Sequence, residues 1–266
     1  MNNIDELSLS TTVFGAEKEP DELLRFLDTT LDAGFKYVEL SRKHFDIARR
    51  AQAILSTGIK VWSVHGLLDG RAVADDETVR RKALEEEIIR IEQASAFGKV
   101  PVVVHYLDRM NNPIYGQMFR KAVEELYEVS HRVGVILTIE TVPYKPKVNE
   151  RYADSREVAE FVRSFNADDL RMTIDINHSN LHESLPDVCA NAHGLIANVH
   201  MSNNHGEWED HLPPMDGVID FPATFAALRR HGYCGPANLE MHGEVPITVE
   251  WLKNIRQYTE KILFKR

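Results

Sequence analysis

A chain of 266 residues, 43% hydrophobic and 27% charged, has ordinary globular composition and is long enough to bury a large core. Its net charge of −10, from 41 acidic against 31 basic residues, disfavours a broad nucleic-acid surface, and no basic stripe is written into the sequence.

Along the chain a cadence repeats: a helical pattern, then Gly or Asn, then a short β-rich run. Leu7–Val13 is the first strand candidate. Gly34 precedes Tyr37–Leu40, Gly58 precedes Ile59–Val64, Gly98 precedes Val100–Val104, and Gly134 precedes Val135–Ile139. Asn166 then precedes Leu170–Ile174, Gly194 precedes Leu195–Val199, and Gly232 precedes Ala237–Leu239. Gly and Asn tolerate the left-handed conformation that ends helices. The intervening segments carry helical periods, as in Phe119, Ala122, Val123, Leu126 and Val129, or Trp251, Ile255, Tyr258 and Ile262. Pro20 suits the first turn of the first helix, and Asp154-Ser-Arg-Glu157 has the form of a capping box. Eight β–α units of this length predict one domain over 1–266, a closed (β/α)8 TIM barrel. No G-x-G-x-x-G follows a strand, as it would in an open dinucleotide-binding sheet.

Cys189 and Cys234 lie far from any CxxC spacing, so neither a disulfide framework nor a thiolate metal site is expected; each reads as a small buried hydrophobe. The N-terminus has no basic and then apolar leader, and no apolar run approaches the roughly 18 residues of a membrane span. The expectation is a soluble, cytoplasmic protein.

In such a barrel the active site forms at the C-terminal ends of the strands. From the second strand to the eighth these ends read Glu39, His65, His105, Glu140, Asp175, His200 and Glu240. His178 lies shortly past Asp175, His242 past Glu240, and the polar stretch after His200 adds Glu209-x-His211. Carboxylates neutralise a divalent ion and neutral imidazoles fix its geometry, so the mixture points to a metal site. By contrast, His44, His131 and His231 read as solvated residues on helices.

Seven segments carry a family resemblance: Ser63-Val-His65-Gly, Val104-His105, Thr138-Ile-Glu140, Thr173-Ile-Asp175-Ile-Asn-His178, Val199-His200-Met-Ser-Asn203, Glu209-Asp-His211 and Leu239-Glu240. In this order on successive strands, they resemble the xylose isomerase-like TIM-barrel superfamily across essentially the whole chain. That superfamily holds sugar isomerases, ketose 3-epimerases, sugar dehydratases and zinc-dependent apurinic/apyrimidinic endonucleases. The resemblance implies a shared metal site of Glu140, Asp175, His200 and Glu240. It further implies that Glu140 and Glu240 exchange protons on opposite faces of a sugar and that His178 contacts substrate. The arginine that ketose 3-epimerases carry about six residues after the metal histidine is Gly206 here.

The three-zinc endonuclease branch is matched by His65 and His105 with Glu140 bridging, and by His178 and His211 with Glu209 in place of an aspartate. Beyond Glu140, the resemblance thus offers His65, His105, His178, Glu209 and His211 as candidates for additional metal or substrate contacts. The aromatic wedge which that branch uses on DNA is missing, since His65 is followed by Gly-Leu-Leu-Asp. The first reading that the resemblance implies is an isomerase or epimerase of a small sugar or polyol, working through an enediolate. It would depend on a divalent metal (Mn, Zn, Mg or Co). A multinuclear zinc phosphoesterase and a sugar dehydratase or lyase are the alternatives. The expected partner is a small carbohydrate, with no nucleic acid and no membrane, and a homo-oligomer is left open. Specificity is expected from the loops Asp69–Asp76 and Tyr144–Tyr152.

Overall fold

The computed structural model describes residues 3–19, 22–44, 46–145, 149–242 and 247–264. Its strands are β1 (Leu7–Ser10), β2 (Tyr37–Leu40), β3 (Lys60–His65), β4 (Pro101–His105), β5 (Ile136–Glu140), β6 (Leu170–Asp175), β7 (Ile196–His200) and β8 (Ala237–Leu239). The sheet runs β7-β6-β5-β4-β3-β2-β1-β8, with parallel pairing throughout. Met201 brings its two edges together just past β7. Its N–H donates to the Asn238 carbonyl at 2.8 Å, and its own carbonyl accepts from the Glu240 N–H at 3.0 Å. The result is the expected (β/α)8 barrel.

The helices are α1 (Glu22–Asp32), α2 (Ala51–Ser56), α3 (Glu77–Ala94), α4 (Pro113–Val133), α5 (Ser155–Arg163), α6 (Ile176–Asn180), α7 (Leu185–Asn191), α8 (Phe221–Arg230) and α9 (Val249–Phe264). Among the described residues, none is long and apolar enough to cross a membrane. Gly34, Gly58, Gly98, Gly134, Asn166, Gly194 and Gly232 all have positive φ, between 49° and 98°, so the punctuation seen in the sequence is conformational. Pro20 lies outside the described residues.

Five local expectations change. The first strand stops at Ser10, because its hydroxyl accepts from the Thr12 N–H and turns Thr11–Phe14 into a 3-10 turn. Asp154 caps α5 by accepting from the Glu157 N–H, but Glu157 does not close the box. Its carboxylate is taken by the Tyr106 hydroxyl at 2.9 Å and by Arg151 at 2.6 Å. His44 is neither helical nor solvated: it lies fully buried in the turn after β2, against Glu17 and the Phe26 ring. His131 is exposed on α4 as expected, whereas His231 is half-buried where α8 ends. Cys189 is buried, but Cys234 is only half so.

Side chains alternate across each strand, so the sheet has two chemically distinct faces. The outer face, with Val38, Leu40, Val64, Val102, Leu137, Ile139, Met172 and Val199, packs under helix residues such as Leu27, Ile91, Phe119, Leu126, Val158 and Leu252. Each such buried side chain contributes roughly 1.5–3 kcal/mol. The inner face is polar: Ser8, Glu39, Ser63, Thr138, Thr173, Asn198 and Asn238 are all fully buried. Helix α3 is unusual in burying charge. Arg90 donates to the carbonyls of Ser41 (2.8 Å), His44 (2.7 Å) and His65 (3.1 Å), pinning the loops that follow β2 and β3. Glu87 accepts from the N–H groups of Leu67 and Leu68, and burial pushes its carboxyl up to about 7.

Candidate metal centre

Register fixes which side chains meet at the top of the barrel. His105 on β4 pairs with Glu140 on β5, and Asp175 on β6 pairs with His200 on β7. Glu240 follows β8 directly, and the Met201 bridge draws it into the same ring. Glu140, Asp175, His200 and Glu240 consequently offer donor atoms that all lie within 4.8 Å of one another, and all four residues are buried. His200 Nδ1 sits 3.1 Å from Glu140 Oε1, 3.0 Å from Glu240 Oε2 and 4.0 Å from Asp175 Oδ2. Its other nitrogen, Nε2, lies 2.9 Å from Glu39 Oε2 below the cluster.

Three carboxylates around one imidazole make a strongly anionic, water-poor pocket. Burial opposes charge on His200, but Glu240, Glu39 and Glu140 outweigh it and hold its ring well above the usual histidine range. Burial also pushes Asp175 up to about 8, with Glu140 and Glu240 adding like-charge repulsion against the pull of the nearby histidines. Glu140 and Glu240 stay below the usual carboxylate range because His200 overcomes their desolvation. Glu140 Oε2 and Asp175 Oδ2 are buried without a hydrogen-bond partner. Unpartnered carboxylate oxygens set among imidazoles, Glu140 Oε2 beside His105 and Asp175 Oδ2 beside His178 and His200, form a donor set that suits a divalent cation.

Two further groups adjoin it. His65, His105 and Glu140 form one, His178, Glu209 and His211 the other, each with donor atoms within 4.8 Å. Several of these rings are anchored through Nδ1 at a backbone carbonyl: His65 at Gly66 (3.0 Å), His178 at Thr141 (3.0 Å) and His211 at Glu240 (3.1 Å). An Nδ1–H engaged in this way leaves the Nε2 lone pair free. Burial lowers the affinity of His65 and His178 for a proton, while Glu140 outweighs burial at His105 and raises it. Glu209 is shared, since it also pairs with Lys145.

Above these groups opens a cavity of about 360 Å³. His65, His105, Glu140, His178, Glu209, His211 and Glu240 line it, with Asp175 and His200 buried beneath. Every residue expected from the strand ends is thus in one place. Of the two expected specificity loops, Asp69–Asp76 contributes nothing to the wall; it folds into a 3-10 turn capped by Asp69. Tyr144–Tyr152 contributes Lys145, and 146–148 lie outside the described residues. The wall also contains Arg42, Lys43 and Arg109, which no strand-end pattern singled out. Their signal was position: Arg42 and Lys43 fall in the turn directly after β2, on the active rim.

Among curated proteins, the chain is 26% identical over 236 residues to L-ribulose-5-phosphate 3-epimerase UlaE of Shigella flexneri serotype 5b (strain 8401), covering 79% of each chain. It is 26% identical over 246 residues to L-ribulose 3-epimerase of Mesorhizobium japonicum (strain LMG 29417 / CECT 9101 / MAFF 303099), covering 88% of this chain and 80% of that one. Among solved structures, an L-ribulose 3-epimerase superposes with a TM-score of 0.81 at 22% identity, covering 100% of this chain and 95% of that one. The IolI protein, crystallised with a bound zinc atom, gives 0.78 at 18% identity with 98% of each chain covered. These two share the fold with this chain. The sequence profile of the xylose isomerase-like TIM barrel matches residues 27–261. With the strand-end residues and the barrel already in view, that match places the chain in the xylose isomerase-like TIM barrel family.

Proposed function

We propose that the chain is a divalent-metal-dependent ketose epimerase that inverts the carbon next to the carbonyl of a small sugar. The observation that carries this reading is the placement of Glu140 and Glu240. They come from β5 and the end of β8, yet both lie within 3.1 Å of the same His200 nitrogen, so two carboxylates share one small space. Two of the curated relatives support it, one an L-ribulose-5-phosphate 3-epimerase and the other an L-ribulose 3-epimerase. Held by Glu140, Asp175, His200 and Glu240, a divalent ion would polarise the carbonyl and offset the charge that grows as the neighbouring C–H bond breaks. The mixed oxygen and nitrogen donors suit Mn, Co, Zn or Mg.

The protein's own groups do the proton work. Glu140 takes the proton from one face of the sugar, leaving the bonding pair conjugated with the carbonyl as an enediolate. Glu240 returns a proton to the opposite face, so the net change is inversion with no gain or loss of electrons. His178, whose Nε2 lies 3.5 Å from Glu209, would hold a substrate hydroxyl. Val142, Pro143 and Leu107 give the wall apolar surface that limits water at the reacting carbon.

The test is turnover of a ketose panel in D2O by metal-loaded protein, with product read by NMR. One deuteron at carbon 3, in step with epimer formation, is the expected result. Exchange at the terminal carbon with aldose formation would make it an isomerase, loss of water a dehydratase, and no exchange would overturn the proposal. One observation favours a second reading. Glu140 belongs to two of the three donor groups, an arrangement that suits adjacent metal ions clamping a phosphoester. Metal stoichiometry and hydrolysis of an abasic duplex separate the two.

A further inference from the structure

We infer that the substrate carries an anionic group, a phosphate or a carboxylate, and that Arg42 and Lys43 bind it at the mouth of the cavity. The inference rests on the proposed sugar chemistry at the same site.

Among the described residues, the cavity wall contains four long cationic side chains. Two are already engaged. Arg109 donates to the Pro143 carbonyl at 3.0 Å and faces Glu150 at 3.4 Å, and Lys145 pairs with Glu209. Arg42 and Lys43 differ: among the described residues, neither side chain has an ion-pair or hydrogen-bond partner. Such a pair is conspicuous in a protein of net charge −10.

The turn that presents them is firmly built. Buried Arg90 grips the carbonyls of Ser41 and His44, immediately before and after the two cations. The Ser41 N–H donates to Thr11 Oγ1 at 2.9 Å, and the Lys43 N–H donates to Ser41 Oγ at 3.2 Å. A clamped backbone lowers the entropic cost of placing two cations on one ligand. Arg42 and Lys43 share the cavity wall with His105, at the end of β4, and His242, just beyond β8. A planar guanidinium beside an ammonium is suited to a tetrahedral phosphate or a planar carboxylate.

The experiment compares kcat/KM of metal-loaded full-length protein for a neutral ketopentose, its 5-phosphate and a ketose ending in a carboxylate. Wild type is set beside Arg42→Met, Lys43→Met and the double variant, with thermal unfolding recorded for each. Calorimetric titration with the ketopentose 5-phosphate measures binding without turnover. The expected result is preference for an anionic ketose by about 10–100-fold, lost in the double variant mainly through KM and weakened by salt. Preference for the phosphorylated or the carboxylated sugar identifies the group. Equal use of the neutral ketose, with variants that match wild type, overturns the inference and leaves the epimerase reading standing. Binding of the phosphorylated ketose that depends on Arg42 and Lys43, with no ketose converted, does the reverse. A double variant that unfolds would leave the single variants and the salt dependence to decide by the same criteria.

Discussion

Glu39 Oε2 and His200 Nε2 lie 2.9 Å apart at the floor of the site, both residues without exposed surface. Ser63 Oγ donates to the same carboxylate oxygen at 2.7 Å, fixing it from the side. The pairing turns the imidazole so that Nδ1 faces Glu140, Asp175 and Glu240. A carboxylate behind a ligating imidazole both orients the ring and increases its basicity.

Replacing this carboxylate should therefore act on metal affinity. Glu39→Gln is expected to weaken Mn²⁺ or Zn²⁺ binding about 10–100-fold, measured by competition with a chelator. Affinity within twofold of wild type would show that Glu39 does not position His200.

Glu140 has a different expected signature. As the proposed ligand and proton acceptor, it should cost at least about 10²–10⁴-fold in turnover when changed to Gln. Thermal unfolding of the metal-free variant should stay close to wild type, because cohesion comes from the apolar outer face of the sheet. Near wild-type turnover would remove Glu140 from the chemistry.

His211 separates one ion from several. If a single ion is held by Glu140, Asp175, His200 and Glu240, His211→Ala should leave stoichiometry by elemental analysis at about one per chain. If His178, Glu209 and His211 hold an ion of their own, the variant should lose one and keep the others. A parent with three ions falling to two would favour the phosphoesterase reading. His131→Ala, on the exposed face of α4, is the control and should change nothing.

His44 gives a stability prediction away from the candidate metal centre. Burial pulls its ring down to about 4, with Glu17 opposing and Arg90 and Arg50 assisting. The unfolded chain takes up this proton near pH 6.5, whereas the folded one resists until about 4. The sign follows: stability is complete above 6.5 and is lost as pH falls toward 4, by about 3 kcal/mol in all. His44→Asn should flatten that part of the stability curve relative to wild type in urea titrations across this range. Parallel curves would rule out His44 as the source.

The strands were legible because β-branched runs are bracketed by residues that only a helix end needs. Gly134 before Ile136–Glu140 and Gly98 before Pro101–His105 show the pattern at its clearest. The donor residues were legible for a related reason: each closes an apolar run, so sequence alone puts it at a strand end. What escaped depends on contacts between distant segments. Glu39 and His200 are 161 residues apart, and nothing local in either marks the pairing. His44 looked like a surface residue because its neighbours are polar; its burial is imposed by Arg90 and Phe26 from other helices. Arg42 and Lys43 sit in a turn, where no period distinguishes a cation that faces a cavity from one that faces solvent.

The polar column inside the barrel separates two burdens that many proteins place on the same atoms. Cohesion is concentrated between the sheet and its jacket of helices, while Ser63, Thr138, Thr173 and Asn198 mainly hold one another and Glu39 in place. The rim can therefore be rewritten with little debt to folding. A lineage built on this scaffold is free to exchange residues such as Arg42, Lys43 or Lys145 and explore new sugars. The carboxylate–imidazole floor and its Glu39–Asn198 footing stay fixed beneath that drift.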